Sequence, residues 1–277
     1  MKAITYERYG PPEVLRLQDV ERPVPKAGEV LIAVRAASLN PLDWHLLRGS
    51  PYLVRLMGGL RRPKRTGLGV DVAGRVEAVG SGVTELQLGD EVFGSCRGAL
   101  AEYACTAASA LVRKPQNLTF EEAAAVPVAA LTALQGLRDF GRLRPAQRVV
   151  INGAAGGVGT FAVQIAKWLG AEVTGVCSAR NLELIRSLGA DHAIDYARAD
   201  FTRGGERYDA ILDCIGNHPV SACRRALRPK GRYLLVGGQG GRAIGPFARA
   251  IAMLLLSPFV SQSLSLVMAK RKPATTF

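Results

Sequence analysis

The sequence predicts an α/β protein in two parts, a β-rich N-terminal domain followed by a doubly wound parallel sheet. Three observations carry this. Residues 1–120 hold short Val-rich runs broken by glycine and proline, the punctuation of a compact barrel-like domain. From Thr119 the pattern changes to apolar strands alternating with helical periodicity, which a parallel sheet flanked by helices requires. Within that second part lies one strand–glycine turn–helix–strand unit, VVINGAAGGVGTFAVQIAKWLGAEVTGVCSAR.

The elements follow in order. MKAITYERYG has no apolar signal core and reads as a strand. Glu29 to Ala37 reads as a strand after Pro23, Pro25 and Gly28. Residues 69–94 alternate Val-rich runs with glycine turns. Thr119 with Glu122 three residues on forms a capping box and starts the helical part. Arg148 to Ile151 suits a buried parallel strand. Val158, Phe161, Ala162, Ile165, Ala166 and Leu169 recur at helical spacing, and Gly170 ends that helix. Glu172 to Cys177 is the next strand. Leu182, Ile185 and Leu188 give a helix stopped by Gly189. Ala193 to Tyr196 and Tyr208 to Asp213 are strands, and a helix runs through Ala222 and Leu227. Pro229 and Gly231 turn the chain into a strand over Arg232 to Val236, ending in Gly237-Gly238. The apolar stretch from Ala250 to Met268 is broken by Ser257, Pro258, Ser261, Gln262 and Ser263, so it reads as a buried or interface helix pair and not a membrane span.

The turn Ala154-Ala155-Gly156-Gly157-Val158-Gly159 has the geometry a dinucleotide pyrophosphate needs. Gly156 lets backbone approach the phosphates, Gly159 lets the helix pack close to the sheet, and the helix N-terminus offers free N–H groups. Ala154 stands where the G-x-G-x-x-G fingerprint has its first glycine. A site for NAD usually places an acid about 20 residues on, to hold the ribose 2′-hydroxyl. Here Ser178 and Arg180 occupy that place. A hydrogen-bonding group with a cation suits a 2′-phosphate, so NADPH is expected, with NADH second. An ordinary solvated charge at a helix start is the plainer alternative for Arg180.

The chain has 277 residues and a formal net charge of +13. Such a charge permits nucleic-acid or membrane-surface association. The cations are mostly scattered, however, and the one dense run, Arg61-Arg62-Pro63-Lys64-Arg65, reads as a solvated loop or a lip attracting an anionic cofactor. No membrane partner is expected, and nucleic acid ranks low. The five cysteines show no C-x-x-C pair and no metal spacing, which fits a reducing, cytoplasmic compartment.

At this point the run AAGGVG with Gln164 and Lys167, together with the earlier GVDVAGRVEAVG and GDEVFG, resembles the medium-chain dehydrogenase/reductases, and within them the zinc-independent quinone oxidoreductase branch. The resemblance implies a GroES-like β-rich catalytic domain over 1–122 and a Rossmann domain over 123–250, with the active site between them. It implies a truncated return segment over 251–277 toward the catalytic domain. Where zinc alcohol dehydrogenases carry ligands, this chain has Asn40, Val70 and Val126-Pro127-Val128-Ala129. Catalytic zinc needs three ligands from Cys, His or acids, so no metal site is expected.

Reduction of an electron-poor acceptor is feasible without a Lewis acid, because hydride addition to a quinone or enone yields an already stable anion. The resemblance implies Asn40 near the nicotinamide ribose and substrate, offering an amide to either. Tyr52, in an overhanging loop, is the expected donor to the substrate oxygen, with a packed surface aromatic as the alternative. Asp43 and His45 could relay a proton, though Asp43 reads more as a cap for its loop. By the same resemblance Thr132 lies near the nicotinamide, and Tyr196 lines the adenosine phosphate pocket. Gly216 passes under the cofactor, and Gly237, Gly238 and Gln239 meet its nicotinamide end. The expected activity is an NADPH-dependent quinone or enone oxidoreductase acting on a small molecule, as a homodimer if the fold is complete. The alternatives are a catalytically impaired NADPH-binding or regulatory remnant, a basic nucleic-acid-binding protein and, lower still, an alcohol dehydrogenase.

Overall fold

The computed structural model describes residues 1–238 and 246–269. They fall into two units, Met1–Val128 and Ala129–Ala269. In the first, β1 (Lys2–Thr5) pairs antiparallel with β2 (Arg16–Asp19). A five-stranded antiparallel sheet follows, built from β3 (Glu29–Ser38), β4 (Asp71–Val79), β5 (Glu91–Ser95), β6 (Tyr103–Ala107) and β7 (Leu111–Arg113) in the order β6-β3-β4-β5-β7. Val30, Ile32, Val72, Val76 and Val92 are buried together as its core, the apolar face that period-two alternation supplies. Between β3 and β4 the chain forms two short helices, α1 (Pro41–Arg48) and α2 (Val54–Gly58). The expected capping box is present before α3 (Phe120–Ala124): the Thr119 hydroxyl accepts from the Glu122 N–H at 3.2 Å, and the Glu122 carboxylate accepts from the Thr119 N–H at 2.8 Å.

Helix α4 (Pro127–Leu134) runs on into a π-helical stretch, Gln135–Phe140. Then come β8 (Arg148–Asn152), α5 (Gly157–Trp168), β9 (Glu172–Cys177), α6 (Leu182–Ser187), β10 (His192–Asp195), β11 (Tyr208–Asp213), α7 (Val220–Arg225), β12 (Leu227–Leu235), α8 (Pro246–Leu256) and β13 (Ser263–Leu266). The six strands pair in parallel in the order β10-β9-β8-β11-β12-β13. Numbered within this sheet, that is 3-2-1-4-5-6, the doubly wound order whose direction reverses between β8 and β11. Both faces are covered. Val149, Ile151, Leu212 and Leu234 enter one apolar core, while their neighbours Val150, Ile211, Tyr233 and Leu235 enter the other. Burial on both faces is why these strands read as continuous apolar runs.

Two expectations are corrected. Residues 250–268 are not a helix pair: α8 gives way at Pro258 to β13, which pairs with β12 as the last strand of the sheet. Ser263-Leu264-Ser265-Leu266 alternates with period two, and a run that short carries no reliable helical period. Leu227 does not close α7 but opens β12, opposite Tyr208. Among the described residues no helix is long and apolar enough to cross a membrane.

Candidate active site

The glycine turn sits at the C-terminal end of β8. Gly153 has φ of +87°, which only glycine adopts without strain. It turns the chain sharply out of the strand, and Gly156 caps α5 in extended conformation. A Cβ on Gly159 would lie 2.1 Å from the Gly153 oxygen and 2.7 Å from Ala154 backbone atoms, whereas one on Gly157 would meet nothing within 4 Å. Helix α5 is therefore seated hard on the turn, and open space lies over its first residues. The N–H groups of Gly157, Val158 and Gly159 belong to this first turn, where α-helical donors lack intrahelical partners. Free donors of this kind at a helix start suit an anion. Ala154 is fully buried in the core, so only its backbone faces the turn. The tight-turn glycine is Gly153, one position earlier than the fingerprint spacing suggested.

At the reversal between β8 and β11, one buried carboxylate fastens three strand ends. Asp213 Oδ1 accepts from Asn152 Nδ2 at 2.8 Å and from the Gly216 N–H at 2.8 Å. Its Oδ2 accepts from the Tyr233 hydroxyl at 2.6 Å. Arg249 on α8 donates to that hydroxyl at 3.1 Å and lies 3.6 Å from the carboxylate. Burial, and then the negative charge of Asp213, push the Tyr233 hydroxyl far up, so it stays a donor. The same causes raise the Cys223 thiol to about 12. This cluster sets the loop where Gly216 (φ of +68°) packs against Gly237 and Gly238 at the end of β12. In the sequence Asp213 reads only as the end of a strand. The available signal was an acid closing an apolar strand with a glycine three residues on. Gln239 lies outside the described residues.

Ser178 and Arg180 follow β9, the neighbour of β8. The Ser178 hydroxyl accepts from Asn181 Nδ2 at 3.2 Å. Arg180 is exposed and has no ion pair or hydrogen bond among the described residues. Tyr196 follows β10, and its N–H donates to the Cys177 oxygen at 3.1 Å. Ser178, Arg180 and Tyr196 thus follow the C-terminal ends of the two strands on one side of β8.

In the first unit, Asn40 caps α1. Its N–H donates to Asp43 Oδ2 at 2.8 Å. Its side-chain Nδ2 donates to Ser38 Oγ at 3.2 Å and to Asp71 Oδ2 at 3.0 Å. Both amide protons are committed within the unit, so what Asn40 can offer a ligand is an acceptor, its carbonyl oxygen. Asp71 also accepts from Ser38 Oγ at 3.0 Å and from the Val128 N–H at 3.2 Å. Asp43 and Asp71 are both buried, and each keeps one oxygen without a partner. Burial pushes both carboxyls above their ordinary range, against the hydrogen bonds that favour the charged forms. Asp43 is the loop cap it was read to be. His45 Nδ1 meets the Ser50 carbonyl at 2.6 Å, a contact that latches the loop. Tyr52 is exposed and stacks on the Arg55 guanidinium at 4.8 Å. Arg55 also lies 4.8 Å from the Tyr9 ring, and its Nε donates to the Gly49 oxygen at 2.9 Å. Thr132 lies on α4, in the second unit, and is buried. Among the described residues no group of three His, Cys, Asp or Glu is placed to hold a metal ion.

Comparison with known proteins gives the family. Residues 26–116 match the family described as alcohol dehydrogenase GroES-like domain, and residues 157–267 match the one described as zinc-binding dehydrogenase. The chain is 37% identical over 250 residues to the chloroplast envelope quinone oxidoreductase homolog of Arabidopsis thaliana, covering 84% of this chain and 74% of the relative. It is 38% identical over 229 residues to a chloroplastic NADPH-dependent alkenal/one oxidoreductase of the same plant, covering 78% and 58%. The crystal structure of Escherichia coli quinone oxidoreductase complexed with NADPH superposes with a TM-score of 0.82 at 26% identity, covering 97% of this chain and 81% of that one. The chain belongs to the medium-chain dehydrogenase/reductase family, in its quinone oxidoreductase-like branch.

Proposed function

We propose that this chain is an NADPH-dependent oxidoreductase that delivers hydride to a quinone or an α,β-unsaturated carbonyl without a metal. One observation carries the reading: a glycine turn seated on a helix N-terminus at the reversal of a 3-2-1-4-5-6 sheet, with the unpaired Arg180 at the next strand end. The names of the similar plant proteins, and the NADPH bound by the bacterial one, support it. When bound, NADPH supplies the hydride. In this reading the first turn of α5, with Gly156, Gly157, Val158 and Gly159, holds the pyrophosphate. Ser178, Arg180 and Tyr196 hold the 2′-phosphate, where a guanidinium makes charge-assisted hydrogen bonds. Gly216, Gly237 and Gly238 give the nicotinamide end a surface free of side chains.

In the first unit the Asn40 oxygen is the acceptor for a ligand, and in the second unit Thr132 is the hydroxyl assigned to the nicotinamide. The Tyr52 hydroxyl donates to the substrate oxygen, which becomes an enolate or phenolate as hydride arrives. A donor placed where charge develops lowers that barrier. The positions that carry zinc ligands in alcohol dehydrogenases hold an amide at Asn40 and aliphatic side chains at Val70 and over 126–129. These groups do not fit zinc, which takes thiolate, imidazole or carboxylate. We place the protein in a reducing compartment, the cytoplasm, because all five cysteines are free thiols. We also favour a homodimer, since among the described residues β13 is an edge strand and Leu254, Leu255 and Phe259 nearby are exposed.

The test is metal-stripped protein mixed with NADPH and a small quinone, followed by the loss of nicotinamide absorbance. Turnover that survives chelator is expected. Folded protein that binds NADPH but shows no turnover would overturn the enzymatic reading.

A further inference from the structure

Between Asp43 and Asp71 the sequence has no carboxylate, yet it carries Arg48, Arg55, Arg61, Arg62, Lys64 and Arg65. Arg48 and Arg55 are engaged with the rings of Trp44, Tyr9 and Tyr52. Arg61, Arg62, Lys64 and Arg65 are exposed and make no ion pair among the described residues. Directly before them in the chain, Leu53, Leu56 and Leu60 are exposed, the last two by 64% and 67%. Leu53 is the N-cap residue of α2, Leu56 lies within that helix three residues on, and Leu60 follows two residues after its end. A cleft of about 510 Å³ lined by Arg8, Arg16 and Arg62, with Glu7 on its wall, extends the cationic surface.

The exposed leucines and the unpaired cations are contiguous in the chain, within residues 53–65. Leucines left in water forgo burial that is favourable in proportion to apolar area. Unpaired cations beside them, with no acid nearby in the sequence, would accept anionic partners. Exposed leucines with aromatic residues, flanked by arginine and lysine, are the composition of segments that lie in a membrane interface. A phosphate backbone of nucleic acid would satisfy the cations but gives the leucines nowhere to go. We infer that this face docks on an anionic bilayer, with Leu53, Leu56 and Leu60 entering the headgroup boundary and Arg61, Arg62, Lys64 and Arg65 meeting lipid phosphates. The sequence alone leads to the expectation of no membrane partner, and this inference departs from that expectation on the paired exposure of leucines and cations. The inference stands independently of the redox assignment.

The test is co-sedimentation of the full chain with vesicles of phosphatidylcholine, with and without phosphatidylglycerol. Each cation near an anionic surface multiplies partitioning roughly fivefold at low salt. The variant R61Q/R62Q/K64Q/R65Q, checked for an unchanged melting temperature, is expected to bind phosphatidylglycerol vesicles several hundredfold more weakly. Should that variant fail to fold, L56S/L60S and a salt titration of the wild type replace it: weaker binding to vesicles and steep loss with salt are expected. Four results would each overturn the inference. These are no wild-type binding to phosphatidylglycerol vesicles, equal binding to pure phosphatidylcholine, undiminished binding by the folded variants, and tight oligonucleotide binding with vesicles left unbound.

Discussion

A methyl group added at Gly159 would have to displace backbone, because the nearest atoms belong to Gly153 and Ala154 rather than to a movable side chain. Overpacking of this kind costs about 1–3 kcal/mol. Gly159→Ala is therefore expected to lower the melting temperature and to weaken both nicotinamide cofactors together, read by calorimetry and by titration. Arg180→Ala should separate them. Loss of a charged hydrogen bond is worth about 1.5–3 kcal/mol, so NADPH binding should fall by roughly 10–100-fold while NADH binding barely moves. Equal losses would remove the 2′-phosphate assignment. The strand–glycine turn–helix unit was legible residue by residue, since its glycines stand in sequence at fixed spacing between an apolar strand and a periodic helix. Gly153 was not, because the fingerprint counts positions and cannot tell which residue leaves the strand at positive φ. Nor was the orientation of the Asn40 amide. It depends on Ser38 and on Asp71, 31 residues away, and no local pattern reports such a contact.

Elements were legible wherever one period dominated. The strands β8, β9 and β11 and the helices α5 and α6 read directly, because burial on two faces or on one stripe imposes a repeat. The segment carrying β13 did not, since pairing with β12, not local preference, makes it a strand. The same sheet sets a prediction. Leu212 on β11 is fully buried in the core beneath α5, and Leu212→Ala should cost about 2–5 kcal/mol in denaturant unfolding. The loop from β3 into α1 gives another. Asp43 has its carboxyl raised by burial, so it holds a proton better when the chain is folded. As pH rises from the ordinary carboxylate range through that raised value, the folded state gives up this proton less readily, and stability from this site falls. Below the ordinary range the contribution is constant. The difference in unfolding free energy between wild type and Asp43→Asn should therefore decline with rising pH through that window. A flat difference would show that Asp43 titrates as it does in the unfolded chain.

At the scale of the molecule, β13 is the edge strand of its sheet among the described residues, and that edge with the exposed apolar side chains near it bears on assembly, because unpaired strand edges invite pairing with another chain. Phe259→Asp is expected to shift the mass measured by light scattering toward the monomer at low concentration, leaving the circular dichroism of the fold in place. A variant that keeps the wild-type mass would remove this edge from the proposed interface. The six-stranded sheet has one more consequence. Its two halves, β10-β9-β8 and β11-β12-β13, meet at Asp213 but carry different duties in the proposed reading. The residues that tell a phosphate from a hydroxyl are confined to the tips of β9 and β10, whereas the surface offered to the nicotinamide belongs to β11 and β12. On that reading coenzyme preference is a detachable trait of this scaffold. An acid installed at the tip of β9 would retune the enzyme to a different redox pool of the cell without redesigning the half that meets the acceptor.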